Sequence, residues 1–364
     1  MKGGRGSTVE VESLDEFDSR VAAGATSLGG WHLQSIDLTA RGGVLRELDP
    51  AGALFLGCAL DRADEQSLRD RGALIFPVVP AVPIDPYRGR LYTAEELYAG
   101  LGTGYEHTLD ARVYAWSQQP ATLDVTLARA LHDHAIDDAL HDLVPGRRLV
   151  GVMGGHAAAR GSTTYADAAR LGQQLARAGL TVLTGGGPGA MEAANLGAYL
   201  ADRSPGELGE ALATLAAVPG FVPSVSDWAR VAFDVRARWP RGTRSVGIPT
   251  WHYGHEPPNV FATDIAKYLR NAIREDVLLQ LATAGIVFLP GAGGTVQEIF
   301  QDACENYYAD PSSVAPMVLV GRSYWTEAVP AWPLLQSLAR GREMADSIHL
   351  VDDVAEVPPL LAQS

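Results

Sequence analysis

The sequence predicts an α/β protein: a doubly wound, Rossmann-like parallel sheet with an additional small N-terminal α/β domain. Short apolar runs alternate with helical stretches from residue 149 onward, which is the pattern of parallel strands buried between helices. Two of these runs end in glycine-rich turns, as expected where a strand passes into a helix. The chain of 364 residues exceeds one ordinary core, so two domains are expected.

The N-terminal accessory domain is predicted to span residues 9–145. Strand-like runs at 53–57 and 73–78 flank a polar, helix-compatible stretch at 61–71. A proline-rich loop then leads into a helical region at about 93–143, and residues 144–148 look like the domain boundary.

A metal site suggests itself in that helical region, because His134, Asp138 and His141 fall on one helical face. Three ligands from a single helix would leave such a site open and without supporting contacts. A solvated helix is the simpler interpretation, and no metal is expected.

The larger domain is predicted at residues 148–345, with residues 346–364 as a tail packed on it. An insertion at 204–243 carries helical stretches and an aromatic loop, and we expect it to cover the site. The predicted strands are 149–153, 180–184, 245–248, 285–289 and 316–320.

Composition excludes several classes of protein. A net charge of −14 argues against general DNA or RNA binding. No apolar run is long enough to span a membrane, and no apolar stretch follows the first residues, so a cytoplasmic protein is expected. Lysine occurs only at positions 2 and 267, so a Schiff-base enzyme would have to use Lys267. Cys58 and Cys304 are expected to be buried and without chemistry.

The first glycine-rich turn contains Gly185, Gly186, Gly187 and Gly189 and lies between a predicted strand and a predicted helix. Glycines let the backbone approach a ligand closely, and the free N–H groups at a helix N-terminus attract an anion. A tight turn with Pro188 at the first helical position is the alternative, but it does not need so many glycines. Arg160 and Ser162, after the preceding strand, are further candidates for phosphate contacts.

The second turn, Pro290-Gly-Ala-Gly-Gly-Thr-Val-Gln-Glu298, gives the stronger signal. Thr295 is predicted to cap the following helix, while Gly291, Gly293 and Gly294 approach a phosphate. Glu298 would lie one turn inside the helix on the ligand side. Thr295 and Glu298 also fit a capping box in which Glu298 only bonds back to the Thr295 amide, and the local sequence does not decide between the two roles.

These residues resemble the LOG family, the cytokinin-activating phosphoribohydrolases, and especially its longer bacterial relatives that act as nucleotide 5′-monophosphate nucleosidases. The family signature P-G-G-x-G-T-x-x-E is matched except that Ala292 replaces the second glycine. The resemblance includes the Gly-Gly-Gly-Pro-Gly-Ala-Met segment and the loop at 254–259, and it covers roughly residues 148–345.

The resemblance implies hydrolysis of a nucleoside 5′-monophosphate to a free base and ribose 5-phosphate, without a cofactor. It implies Glu298 as the catalytic carboxylate and Arg274 as its partner, with Arg270 as a weaker candidate. Glu256 and Asn259 are expected to contact the base or the ribose. Members of the family usually pair, so a homodimer or higher homo-oligomer is expected.

Cleavage of a C1′–N bond develops positive charge on the ribose. A carboxylate can stabilise that charge while it orients or deprotonates water, and an arginine can hold the phosphate or assist the departing base. A nucleotide sensor or carrier without catalysis would use the same glycines, with Glu298 only capping. A lysine decarboxylase is disfavoured by the scarcity of lysine, and a DNA-processing protein by the acidic charge.

Overall fold

A computed structural model describes residues 9–80, 82–252 and 256–361 of the chain. The chain divides into two compact units. The first contains residues 1–90 and 118–140, and the second contains residues 91–117 and 141–364.

The first unit is built on a four-stranded parallel sheet whose strand order follows the chain, β1-β2-β3-β4. Its core comprises side chains from the strands and the helices between them, including Phe17, Leu33 and Phe55. The strands are β1 Val9–Val11, β2 Trp31–Gln34, β3 Leu54–Leu56 and β4 Leu74–Phe76. The helices are α1 Leu14–Ala22, α2 Gly42–Glu47 and α3 Arg62–Asp70.

Three helices follow the first sheet: α4 Ala94–Leu97, α5 Leu109–Ser117 and α6 Leu123–Leu143. The first two belong to the second unit, whereas most of α6 belongs to the first. His134, Asp138 and His141 lie on α6 with exposed side chains.

The second unit contains a seven-stranded parallel sheet of order β11-β10-β9-β5-β6-β7-β8. The strands are β5 Leu149–Met153, β6 Thr181–Thr184, β7 Val246–Gly247, β8 Asp264–Ile265, β9 Ile286–Phe288, β10 Met317–Val320 and β11 Ile348–Val351. After β8 the chain returns to place β9 beside β5, so the order reverses between these two strands. Ligands of open α/β sheets bind at such a reversal, outside the carboxyl ends of the strands.

Helices connect most of the strands in this unit. They are α7 Thr163–Arg177, α8 Ala190–Tyr199, α9 Pro205–Leu215, α10 Val225–Arg238, α11 Asn271–Leu281, α12 Gly293–Tyr308, α13 Ala331–Ala339 and α14 Val357–Leu361. The insertion predicted at 204–243 therefore consists mainly of α9 and α10.

Residues 91–117, expected within the N-terminal domain, pack with the second unit instead. Several long-range contacts hold these residues there, and two of them involve β8 and the residues that follow it. Tyr92 forms an antiparallel bridge with Ile265. Asp110 on α5 accepts a 2.6 Å bond from Lys267, and both side chains of this pair are buried.

The predicted fold class is confirmed by the two parallel sheets with helices between their strands. The sequence located β5 to the residue and the other predicted strands within one or two residues. It did not identify β1 and β2 in the first unit or β8 and β11 in the second. The strand β8 is two residues long, and β11 carries the polar His349. Within the described residues, no helix is both long and apolar enough to cross a membrane.

Candidate functional site

A cavity of ≈ 850 Å³ lies at the carboxyl ends of β5, β6 and β9 in the second unit. Its walls come from the loop after β5, the two glycine-rich turns and the first turn of α12. Its volume falls in the range that small-molecule sites usually occupy. The side chains that bear on its chemistry are those of Ser162, Glu256, Arg274, Glu275, Thr295 and Glu298.

The turn after β6 brings backbone close to two other segments. Gly186 has φ +71, and a Cβ there would lie 2.6 Å from the ring of Pro249. A Cβ on Gly185 would collide with the guanidinium of Arg274. Gly185 and Gly187 line the cavity. Gly189, with φ +73, fits instead against the carbonyl oxygens of Gly155 and His156.

The turn after β9 leaves space at its two helical glycines. A Cβ on Gly293 or on Gly294 would meet nothing within 4 Å, and both residues are exposed and line the cavity. Gly291 is different, because a Cβ there would collide with the side chain of Thr295. The hydroxyl of Tyr324 donates a 2.8 Å bond to the Gly291 carbonyl and so holds the turn.

The predicted helix cap at Thr295 is wrong. The helix α12 begins at Gly293 with Ala292 as its N-cap, and no side chain caps it. Thr295 is therefore already inside the helix and buried, and Val296 bonds to the Ala292 carbonyl at 3.0 Å. A capping box between Thr295 and Glu298 would require the helix to begin after Thr295, so this arrangement does not form.

Glu298 faces the cavity and Arg274. The distance from Arg274 Nη1 to Glu298 Oε1 is 3.6 Å, and the two side chains are 10% and 13% exposed. Burial raises the pKa of Glu298 to about 7, because the loss of hydration outweighs the opposing charge of Arg274. A carboxyl group with this pKa can exchange a proton near neutral pH.

Arg274 is oriented by the backbone as well as by Glu298. Its Nε donates a 2.7 Å bond to the carbonyl oxygen of Ile248, just after β7. Arg270, the other candidate, is the exposed N-cap residue of α11 and is not among the residues that line the cavity. The geometry therefore pairs Arg274 with Glu298.

Glu256 and Asn259 have different environments. Glu256 lines the cavity, and its Oε1 lies 3.4 Å from Nδ1 of His156. Asn259 is fully buried. Its amide donates to Gly187 and Asn195, and its oxygen accepts from the amides of Phe261 and Ala262. Asn259 therefore supports the first glycine-rich turn from behind. Residues 254 and 255 of the predicted loop lie outside the described residues.

Arg160 and Ser162 are both engaged with the protein. Arg160 is buried and pairs with Glu192 through two nitrogens, with Nε 3.0 Å from Glu192 Oε2. Its Nη1 donates to the carbonyl of Trp228 at 3.0 Å. Ser162 caps α7 by accepting from the Tyr165 amide, although it also borders the cavity. Nothing in the local sequence indicates the pairing with Glu192, which is 32 residues away.

Lys267 is not placed for Schiff-base chemistry at this cavity. Its side chain is 1% exposed and pairs with Asp110, and it is not among the lining residues. Burial lowers the pKa of Lys267, although Asp110 opposes this effect.

The cysteines and the possible metal ligands were also predicted from the sequence. The predicted burial is confirmed for Cys58 but is wrong for Cys304, which is exposed. Across residues 9–80, 82–252 and 256–361, no three His, Cys, Asp or Glu side chains are grouped to hold a metal.

Comparisons with known proteins give a family match over part of the second unit. Residues 147–203, which include β5, β6 and the first glycine-rich turn, match the model of the SLOG cluster4 family. This match agrees with the resemblance to LOG-like Rossmann proteins over that segment. No curated protein matches the chain.

Several solved structures match part of the chain. The molybdenum cofactor binding protein of Rippkaea orientalis is 16% identical, with a TM-score of 0.37 over 60% of this chain and 98% of its own. The molybdenum cofactor carrier protein of Chlamydomonas reinhardtii is 18% identical, with a TM-score of 0.36 over 60% of this chain and 97% of its own. The protein TM1055 is 19% identical, with a TM-score of 0.37 over 60% of this chain and 99% of its own.

Proposed function

We propose that the protein hydrolyses the N-glycosidic bond of a nucleoside 5′-monophosphate, releasing the free base and ribose 5-phosphate. The observation that carries the proposal is the pairing of Glu298 with Arg274 across 3.6 Å, at a cavity bordered by both glycine-rich turns. A protein that only bound the nucleotide would need the turns but not a buried carboxyl group of raised pKa.

The phosphate is assigned to the N-terminus of α12. The first amides of this helix have no side-chain cap, so they remain available to an anion, and the helix dipole favours negative charge there. Gly293 and Gly294 leave the space that such an anion would occupy. The hydroxyl of Thr295 lies beside the same turn.

Phosphate binding at this point would place the ribose near Glu298, which is only one helical turn farther along α12. Glu298 in its ionised form would accept a proton from water while the water oxygen forms a bond to C1′. The C1′–N bond breaks, the base nitrogen keeps the bonding electrons, and that nitrogen is then protonated from solvent. The negative charge of Glu298 would also stabilise the positive charge that develops on the ribose.

Arg274 has two roles in this scheme. Its charge limits the rise in the pKa of Glu298, which keeps part of the carboxyl group ionised near neutral pH. Its bond to the Ile248 carbonyl fixes the guanidinium beside the cavity, where it can contact the phosphate or the departing base. Glu256, which also lines the cavity, is assigned to the ribose hydroxyls.

The decisive experiment measures the release of base and ribose 5-phosphate from a panel of nucleoside 5′-monophosphates by wild type and by Glu298→Gln. We expect turnover of at least one nucleotide by wild type. The variant should lose turnover and keep nucleotide binding, because Gln preserves the shape of the side chain but cannot accept the proton. Glu343→Gln, the same substitution at an exposed glutamate that does not line the cavity, is the matched control and should leave turnover unchanged.

The proposal fails if no nucleotide is cleaved although wild type and Glu298→Gln both bind nucleotides tightly. That result would leave a nucleotide sensor or carrier.

A further inference from the structure

A second pocket adjoins the cavity and takes no part in the proposed chemistry. It has a volume of ≈ 290 Å³ and shares the loop of residues 156–159 with the larger cavity. We call it the aromatic pocket; its other walls include Arg160, Pro188, Glu192, Pro219, Phe221 and Trp228. It lies wholly within the second unit.

The aromatic pocket has flat and apolar walls. The ring of Phe221 lies edge-on to the ring of Trp228, with 6.4 Å between their centroids. Pro188 and Pro219 add further rigid apolar surface. Such walls favour a planar aromatic ligand, because stacking on aromatic side chains adds to the free energy of burial.

A buried ion pair lies behind the wall of this pocket. Arg160 and Glu192 are both almost completely buried, and the guanidinium of Arg160 lies 4.6 Å from the centroid of the Trp228 ring. Two buried charges are costly to maintain even when they are paired. Both side chains are closed to solvent, so the pair fixes this wall of the pocket from behind.

We infer that the aromatic pocket binds the nucleobase of the substrate, with the base packed against the ring of Phe221, which the buried ring of Trp228 supports edge-on. This inference rests on the proposed function. It places the base and the phosphate on opposite sides of the loop at 156–159, with the ribose between them in the larger cavity. The α9–α10 insertion thereby contributes to base selection through Phe221 and Trp228.

Pairs of binding measurements in a non-hydrolysing background test this assignment. In protein carrying Glu298→Gln, isothermal titration gives the affinities for AMP, GMP, CMP, UMP and ribose 5-phosphate. Phe221→Ala should weaken the tightest-binding nucleotide about tenfold, the size of effect expected for the loss of one stacking contact. Ribose 5-phosphate should bind with unchanged affinity, because it has no base.

Two matched variants make the result specific. Phe221→Leu keeps the apolar volume but removes the aromatic face, so it should lose most of the same affinity. Leu334→Ala truncates an exposed side chain of α13 that borders neither pocket, and it should change neither affinity. Thermal unfolding of each variant verifies that the fold is intact.

The assignment is overturned if Phe221→Ala leaves nucleotide affinity unchanged or weakens ribose 5-phosphate equally. Its failure is distinct from failure of the hydrolase proposal. If the protein shows no turnover but its nucleotide affinity still depends on Phe221, the base pocket is supported and the hydrolase proposal fails. If the protein shows turnover but its nucleotide affinity does not depend on Phe221, the hydrolase proposal is supported and the base pocket is not.

Discussion

Glu298 and Arg274 come from different helices, α12 and α11, and face each other across 3.6 Å beside the carboxyl ends of the central strands. Arg274 is held by a backbone carbonyl, and Glu298 lies near the start of α12. Both side chains are almost fully covered, so this pair has less freedom to move than an ion pair on the protein surface. The pair is therefore preorganised for a ligand.

The pH dependence of turnover reports on Glu298. Because its pKa is raised to about 7 and the proposed role requires the ionised form, kcat/KM should rise about tenfold per pH unit below that pKa and level off above it. Glu275→Gln removes a negative charge that raises the pKa of Glu298, so it should shift the midpoint to lower pH. Initial rates between pH 5 and 9 measure both effects. A midpoint that Glu275→Gln moves upward would contradict the assignment.

The two kinds of glycine in the α12 turn should respond differently to alanine. Gly294→Ala adds a methyl group in open space near the helix start, so its thermal stability should be unchanged or slightly raised. The same methyl group enters the proposed anion site, and ribose 5-phosphate should bind roughly tenfold more weakly, a loss of about 1.4 kcal/mol.

Gly291→Ala provides the comparison, because its methyl group would collide with Thr295. It should destabilise the protein by about 1–3 kcal/mol. Thermal unfolding and titration calorimetry of both variants separate the two effects. Equal affinity of Gly294→Ala and wild type would argue that the phosphate binds elsewhere.

Asp302 should make the protein less stable as the pH rises. Its Oδ2 has no hydrogen-bond partner among the residues described, and burial raises the pKa of Asp302 to about 8. Between the unfolded pKa near 4 and the folded pKa near 8, the folded state holds a proton that the unfolded state releases, so stability falls across this window.

Asp302→Asn removes that dependence. We expect the variant to unfold at a higher temperature than wild type at pH 8, with a gain on the order of 1–3 kcal/mol, and to differ less at pH 4. Thermal melts at the two pH values measure this. A larger advantage of the variant at pH 4 than at pH 8 would reverse the sign and refute the explanation.

Lys267 is expected to matter for stability and not for chemistry. Lys267→Met would leave Asp110 buried with its charge uncompensated, although Trp251 and Tyr105 still donate to it. The cost should be about 3–5 kcal/mol. Denaturant unfolding of the variant measures this cost, and the double variant Lys267→Met with Asp110→Asn should recover part of it. Little destabilisation by Lys267→Met would show that the pair is well hydrated.

The sequence predicted the parts of the site that depend on local order. Two glycine-rich turns after apolar strands must meet at one edge of a parallel sheet, so the grouping of Gly185, Gly293 and Glu298 could be inferred without coordinates. The start of α12 could not be inferred from the sequence, because Thr295 fits a capping pattern. Only the path of the turn places the start at Gly293.

The sequence could not predict the roles of side chains whose partners are distant along the chain. Asn259 and Arg160 are polar residues near glycine-rich loops, and nothing local distinguishes a ligand contact from an internal one. Their partners Asn195 and Glu192 both come from α8. A polar side chain is available to a ligand only if other segments of the protein leave its hydrogen-bonding groups free. Which segments reach it is a property of the tertiary structure.

The division of the chain has a practical consequence for fragments. The polypeptide leaves the first unit after residue 90, re-enters it at 118 and leaves again after 140. A fragment beginning at residue 148 would lack Asp110 and would leave Lys267 without this partner. Truncation at a single point therefore cannot separate the two units. Neither unit can be exchanged between proteins as one continuous segment.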